Sequence, residues 1–191
     1  MVNFKTIKKL LGLTIIISSS FVLINKEEPS VFQPVFDRMQ NEVVKTKLLQ
    51  LEKEGIQKEV NTSNYDIEKV IQTAESFLGT KHAMGGTTKA GIDCSGLVMV
   101  SHKSCGVELP HQSHQQSKYG RVIAYPDSLK RGDLVFFYAS YNSNYFITHS
   151  GIYLGDNQFI HATVQTGVVK TPIVGNGYWG SKFLFGTRLK E

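Results

Sequence analysis

Ile147-Thr148-His149-Ser150-Gly151-Ile152-Tyr153-Leu154-Gly155-Asp156-Asn157-Gln158-Phe159-Ile160-His161-Ala162 is the stretch on which the reading of this chain turns. Two runs rich in branched and aromatic residues, Phe146 to Leu154 and Gln158 to Val164, flank Gly155-Asp156-Asn157. Such runs, bounded by turn residues, read as the two strands of a hairpin. Side chains alternate faces along a strand, so loop length decides which residues share a face. A two-residue loop at Asp156-Asn157 would pair 149 with 164 and separate the two histidines. A three-residue loop, Gly155-Asp156-Asn157, pairs 149 with 163 and 151 with 161. His149 and His161 then lie diagonally on one face, with Cα atoms ~7–8 Å apart. Gly and Asn suit three-residue loops, and that loop is the predicted one. Gly151 would stand opposite His161 and leave room for the rings. Ile152, Leu154, Ile160, Ala162 and Val164 would face the core.

Further strands are predicted over Leu134 to Tyr138, after the turn Arg131-Gly132-Asp133, and over Val168 to Thr171 and Phe183 to Arg188. The preceding part reads as helices. Ile67, Val70, Ile71, Ala74 and Phe77 form one apolar face of a helix from Asp66 to Phe77, closed by Gly79. A glycine-rich loop runs from Gly79 to Gly91. Asp93 is placed to cap a helix from Cys94 to about Lys103. Leu109-Pro110 breaks the chain, and a short helix covers Ser113 to Tyr119. Helices first and strands afterwards predict an α+β fold, with helices packed on an antiparallel sheet.

At the amino terminus Lys5, Lys8 and Lys9 precede an apolar run from Leu10 to Ile24. A basic front followed by ~7–15 apolar residues is the pattern of an export signal. With Phe4 and Ile7 included, residues 4–24 also suit an uncleaved membrane anchor. The predicted organisation is a signal or anchor at 1–25, a spacer at 26–64 and a catalytic domain at 65–191. Phe36, Met39, Val43, Leu48 and Leu51 suggest an amphipathic helix from Asp37 to Lys53 within the spacer, with docking on the domain as the alternative.

The formal net charge is +5. Residues 1–65 hold 9 Lys/Arg and 7 Asp/Glu, leaving 12 and 9 for the remainder, which is mildly basic. There is no Lys/Arg stripe interleaved with aromatics, which argues against nucleic-acid binding. An anionic polymer such as a cell wall tolerates this charge. His111 and His114 lack a nearby third ligand for a metal. Gly85-Gly86 lacks the Lys-Ser/Thr of a phosphate loop. No metal or cofactor is expected. On one helix the two cysteines would lie ~16 Å apart, beyond the ~7 Å limit of a disulfide. Cys105 then reads as a small buried residue.

Cys94 opens a helix, where unpaired N–H groups and the dipole favour a thiolate. A cysteine, a histidine and a second polar orienting residue are the parts of a thiol nucleophile machine. The ordered words Gly85-Gly86, Asp93-Cys94-Ser95-Gly96-Leu97, Leu109-Pro110, Arg131-Gly132-Asp133-Leu134-Val135-Phe136-Phe137, Thr148-His149-Ser150-Gly151-Ile152-Tyr153 and Ile160-His161-Ala162 carry a resemblance. The stretch from about Ala74 to Arg188 resembles the NlpC/P60 cysteine peptidases, cell-wall endopeptidases with a papain-like fold. The resemblance implies Cys94 as nucleophile, His149 as base and His161 as the residue that orients His149. It places His82, Asp93, Ser95, Gly96, His111, Ser150 and Gly151 around the substrate. It also implies cleavage of peptidoglycan stem peptides, typically between γ-D-glutamate and a diamino acid, by a monomer in the periplasm or cell envelope. Two positions depart from the family pattern: His82 stands where a tyrosine is usual, and His111 where an arginine often follows Leu-Pro. Both bear on the substrate pocket.

Overall fold

A chain with this order of patterns folds by packing its helical faces on one meander of strands. The computed structural model describes residues 29–191. The predicted signal or anchor, including 4–24, lies outside them. Among the described residues no helix is long and apolar enough to cross a membrane.

Two short helices come first, α1 (Gln33–Met39) and α2 (Glu42–Lys53). One helix over 37–53 was predicted. The chain instead breaks at Gln40, which takes a left-handed conformation. Asn41 then caps α2 by accepting from the N–H groups of Val43 and Val44. The break re-phases the apolar face. Val44 is buried, while Val43, predicted to be on that face, is 68% exposed. Phe32, Val35, Phe36, Val44, Leu48 and Leu51 join one core with Leu184 and Phe185. The Arg38 guanidinium donates to the carbonyls of Phe183 and Leu184. The stretch read as a spacer therefore contributes two helices to the main core, because its apolar face finds a complementary sheet surface there.

Next come α3 (Ile67–Ser76), capped by Asp66, and α4 (Cys94–Lys103), capped by Asp93. Both match the predicted helices, and Asp93 is the predicted cap; Asp66, read as the first helical residue, is the cap of α3. Between them the glycine-rich loop forms a small ribbon, β1 (Thr87–Thr88) with β2 (Gly91–Ile92). Helix α5 spans Ser113–Gln116, shorter than predicted. The main sheet is built from β3 (Arg121–Ile123), β4 (Leu134–Tyr138), β5 (Ile147–Gly155), β6 (Gln158–Thr163), β7 (Gly167–Pro172) and β8 (Phe183–Arg188). Its order is β3-β8-β4-β5-β6-β7, antiparallel throughout. Helix α6 (Gly177–Lys182) links β7 to β8. The pairs in β1/β2, strand β3 and α6 are too short to leave a periodic signal.

The β5–β6 hairpin keeps the predicted register: Ile152 pairs with Ile160 and Tyr153 with Phe159. Its turn differs. Gly155 pairs with Gln158, so the loop is Asp156-Asn157, both at positive φ (48° and 61°). Positive φ at both central residues is what a tight hairpin turn requires. A bulge between Tyr153 and Gly155 absorbs the extra residue and restores the register. The core face is as predicted for Ile152, Leu154, Ile160 and Ala162. Val164 is the exception, 74% exposed, because β6 ends at Thr163.

Since Leu48 is fully buried and Val43 is not, Leu48→Ala is expected to destabilise the protein by about 2–5 kcal/mol, and Val43→Ala by less than about 0.5 kcal/mol. Urea unfolding of both variants checks this. Equal effects would show that α2 does not belong to the core.

Candidate active site

The first turn of α4 has N–H groups with no acceptor inside the helix. Asp93 answers this with one carboxylate. Its Oδ1 accepts from Gly96 N–H (2.7 Å), Ser95 Oγ (3.0 Å) and His111 Nε2 (3.0 Å), and its Oδ2 accepts from Gly85 N–H (2.7 Å). Burial pushes the Asp93 carboxyl up. The bonds from Gly96, His111 and Gly85 outweigh it, and the group sits below its ordinary range. One side chain thus caps the helix, pins the glycine-rich loop and positions His111. A Cβ on Gly96 would collide with the Gly86 carbonyl, so that glycine is required for loop and helix to touch.

Cys94 follows directly and is buried. Its sulfur lies 3.6 Å from Ser113 Oγ. Behind Ser113 runs a closed polar network. Gln116 Nε2 donates to the carbonyls of Ser95 (2.8 Å) and Pro110 (2.9 Å), which turns its Oε1 toward Ser150. Ser150 Oγ donates to that oxygen at 2.9 Å. Its single proton is then committed, so it accepts from Ser113 Oγ at 3.0 Å. Ser113 is left with a lone pair for the Cys94 thiol. Burial pushes the thiol above its ordinary value; Ser113 and the Ser150 N–H pull it down, and the Asp93 charge adds to the rise. The helix-terminus argument anticipated a stabilised thiolate. Desolvation of a buried anion works against the benefit of one helix end and favours the thiol.

His149 and His161 share a face. His149 Nε2 and His161 Nδ1 are 2.8 Å apart, with the rings perpendicular. His161 Nε2 reaches Thr171 Oγ1 at 2.9 Å. Phe137, Phe159 and Trp179 surround the pair, with Trp179 stacked on His149 at 4.6 Å between centroids. Gly151 makes room: an added Cβ would come within 2.7 Å of the Phe159 ring and 3.2 Å of His161 Cβ. Burial depresses both imidazoles. His161 falls to about 3, and His149 falls well below its ordinary value, helped by its two histidine neighbours, His161 and His82.

Cys94, His149 and His161 line one cleft of about 960 Å³. His82, Asp93, Ser95 and His111 line it too. Gly96, Ser150 and Gly151 do not. The Ser150 side chain is turned into the Gln116 network, and the two glycines act by allowing close packing. Ser113, Thr171 and Trp179 also line the cleft; Trp179 reads from the sequence as packing, with a stack on substrate sugar as the alternative, whereas Ser113 and Thr171 escaped sequence reasoning. A serine and a threonine carry no spacing signal; β-pairing alone brings Thr171 to His161. His114 bonds Glu54 and lies tilted against the Tyr145 ring. Asp133 is buried and paired with Arg188 at 2.7 Å. Cys94 and Cys105 both carry free thiols.

A buried thiol at a helix N-terminus and an imidazole on one cleft can perform acyl transfer through a thioester. A family model described as "NlpC/P60 family" matches residues 79–188. Murein DD-endopeptidase MepS/Murein LD-carboxypeptidase of Escherichia coli (strain K12) is 34% identical over 122 residues, 63% of this chain and 62% of the relative. Gamma-DL-glutamyl hydrolase of Bacillus subtilis (strain 168) is 30% identical over 132 residues, 69% of this chain and 32% of the relative. This chain thus spans less than two thirds of either relative's length. Among solved structures, an NlpC/P60 family protein from Bacillus cereus ATCC 10987 superposes with a TM-score of 0.58 at 29% identity, covering 68% of this chain and 42% of that one.

The neutral buried histidines have a thermodynamic consequence. An unfolded imidazole titrates near ~6.5. Below that pH the unfolded chain binds more protons than the folded one, so stability falls as pH drops toward the folded values, about 3 for His161 and about 4 for the buried His102. Each such group contributes up to about 1.4 kcal/mol per pH unit. Urea midpoints at pH 7 and 4.5 should show this loss, and His161→Gln should flatten it. An unchanged slope in that variant would contradict a neutral buried His161.

Proposed function

The chain belongs to the NlpC/P60 family, and from that premise we propose that it is an exported cysteine endopeptidase that hydrolyses peptidoglycan stem peptides. The observation that carries this reading is the cleft that Cys94 shares with the His149–His161 pair. Cys94 is the nucleophile, His149 the base and His161 the residue that orients it. Nδ1 of His149, the ring nitrogen not engaged by His161, takes the thiol proton as sulfur attacks the scissile carbonyl. The carbon–sulfur bond forms, and the oxyanion faces the N–H groups of the first turn of α4. The imidazolium returns its proton to the leaving amine as the carbon–nitrogen bond breaks. Water, deprotonated by His149, then cleaves the thioester and restores the thiol.

Starting from a neutral pair suits this site. Charge appears on sulfur and imidazole only together, when substrate has displaced water and the two charges stabilise each other. The cut bond is the one from γ-D-glutamate to the diamino acid. The name of the Bacillus relative, a hydrolase of γ-glutamyl bonds, supports this choice; the name of the Escherichia relative points to other stem-peptide bonds. The basic front and apolar run of residues 4–24 carry the chain to the cell envelope.

Incubation with defined stem peptides, followed by mass analysis, is expected to yield fragments ending at γ-D-glutamate. Cys94→Ala should lower the rate at least ~10³-fold, and His149→Ala ~10²–10⁴-fold. Scission at a different amide would assign an amidase instead. A folded wild-type protein that leaves every stem peptide intact would overturn the peptidase reading.

A further inference from the structure

We propose that Thr171 is a positioning residue for this reaction: its hydroxyl takes the Nε2–H of His161 and thereby holds both imidazoles in the tautomers that leave His149 Nδ1 bare toward the cleft. The proposal rests on the reading of Cys94 and His149 as nucleophile and base. Three neighbouring strands each supply one member of a diagonal row: His149 from β5, His161 from β6 and Thr171 from β7. His161 pairs with Val169, so Thr171 stands two residues along the same face of β7. The two links are 2.8 Å and 2.9 Å.

A neutral imidazole has one donor and one acceptor, so the row has two possible directions. In one, His149 Nε2–H donates to His161 Nδ1, and His161 Nε2–H donates to Thr171 Oγ1. His149 Nδ1 is then a free base. In the other, Thr171 donates inward, His161 Nδ1–H donates to His149 Nε2, and His149 carries its proton on Nδ1. That tautomer cannot accept from a thiol. Two facts select the first direction. Thr171 lines the cleft and is only partly buried, so its own proton can go to solvent while its lone pair faces His161. The imidazolium formed during the reaction must also donate from Nε2, which requires a bare Nδ1 on His161 and an acceptor beyond it. His161 is fully buried, so water does not replace that acceptor. Phe137, Phe159 and Trp179 offer none. The titratable group that bears directly on His149 besides His161 is His82; Asp93, Cys94, His111, Tyr141, Tyr145 and Tyr178 line the same cleft.

Without the hydroxyl, a proton on Nε2 of His161 has no partner. The cheaper arrangement moves it to Nδ1 and forces His149 into the unreactive tautomer. Thr171→Val, nearly isosteric, is therefore expected to lower kcat on a stem peptide by about 10–100-fold with KM within about twofold. It should also move the acid limb of kcat/KM to lower pH, since the imidazolium loses the acceptor at the end of its row. Thr171→Ser should restore the rate to within about threefold. A purely packing role would leave the acid limb in place and would not be rescued by serine. Nitrogen NMR of the histidines reads the tautomers without any hydrolysis. The expected wild-type pattern is a protonated Nε2 and bare Nδ1 on His161, inverted in Thr171→Val. Wild-type rate and acid limb in Thr171→Val, or a protonated Nδ1 on His161 in the native protein, would overturn the proposal, and the NMR result decides even if the valine variant does not fold. A wild-type protein with the expected tautomers but no activity on any stem peptide would overturn the peptidase reading and leave only the tautomer assignment of the row standing.

Discussion

Two buried imidazoles 2.8 Å apart tolerate almost no error in backbone register. A one-residue slip of β6 against β5 would send His161 to the opposite face and bring an apolar residue into its place. The hairpin guards against that slip twice. Asp156 and Asn157 at positive φ make the tight turn, and the bulge before Gly155 supplies the one-residue offset that returns the histidines to a common face. Gly151 then removes the side chain that would occupy the space of the rings. The neutral state of the pair follows from the same enclosure, since burial penalises the imidazolium on both rings.

The sulfur is held by a different kind of constraint. Gln116 satisfies the carbonyls of Ser95 in α4 and of Pro110 and, through Ser150, orients Ser113 toward Cys94. Asp93, one residue before Cys94, is occupied by four donors. Its negative charge is thereby spent on capping and on His111 rather than left to confront the thiol alone. Buried polar groups that are fully satisfied in this way rigidify a site. The β5 backbone takes part in both halves: His149 points to His161, and the next residue, Ser150, points to the network behind Cys94. The alternation of a strand therefore couples the two halves at a fixed spacing.

Much of this was legible in the chain itself. The helix of Cys94 with its Asp93 cap, the Ile67–Ser76 helix and the strand runs announced themselves by apolar period and cap chemistry. Other elements did not. The α1–α2 break depends on Asn41 accepting from two N–H groups, a local competition that a smooth apolar period conceals. Strand β3 exists because β8 is there to receive it. Val164 has the composition of a core residue yet is exposed, because pairing with β7 stops one residue earlier.

The sequence by itself determined the placement of the candidate residues, since a capped cysteine and two histidines on one hairpin face follow from local periods of one turn or one strand. It also determined the class of fold, because helical and strand periods separate cleanly along the chain. Tertiary structure alone decided the protonation of the site and the company it keeps. Burial, which sets the thiol high and the imidazoles low, is a property of packed neighbours, and Ser113, Thr171 and Trp179 come from elements distant in sequence. Local propensity acts over a few bonds, whereas desolvation and hydrogen-bond direction depend on whatever the whole fold brings within a few ångströms.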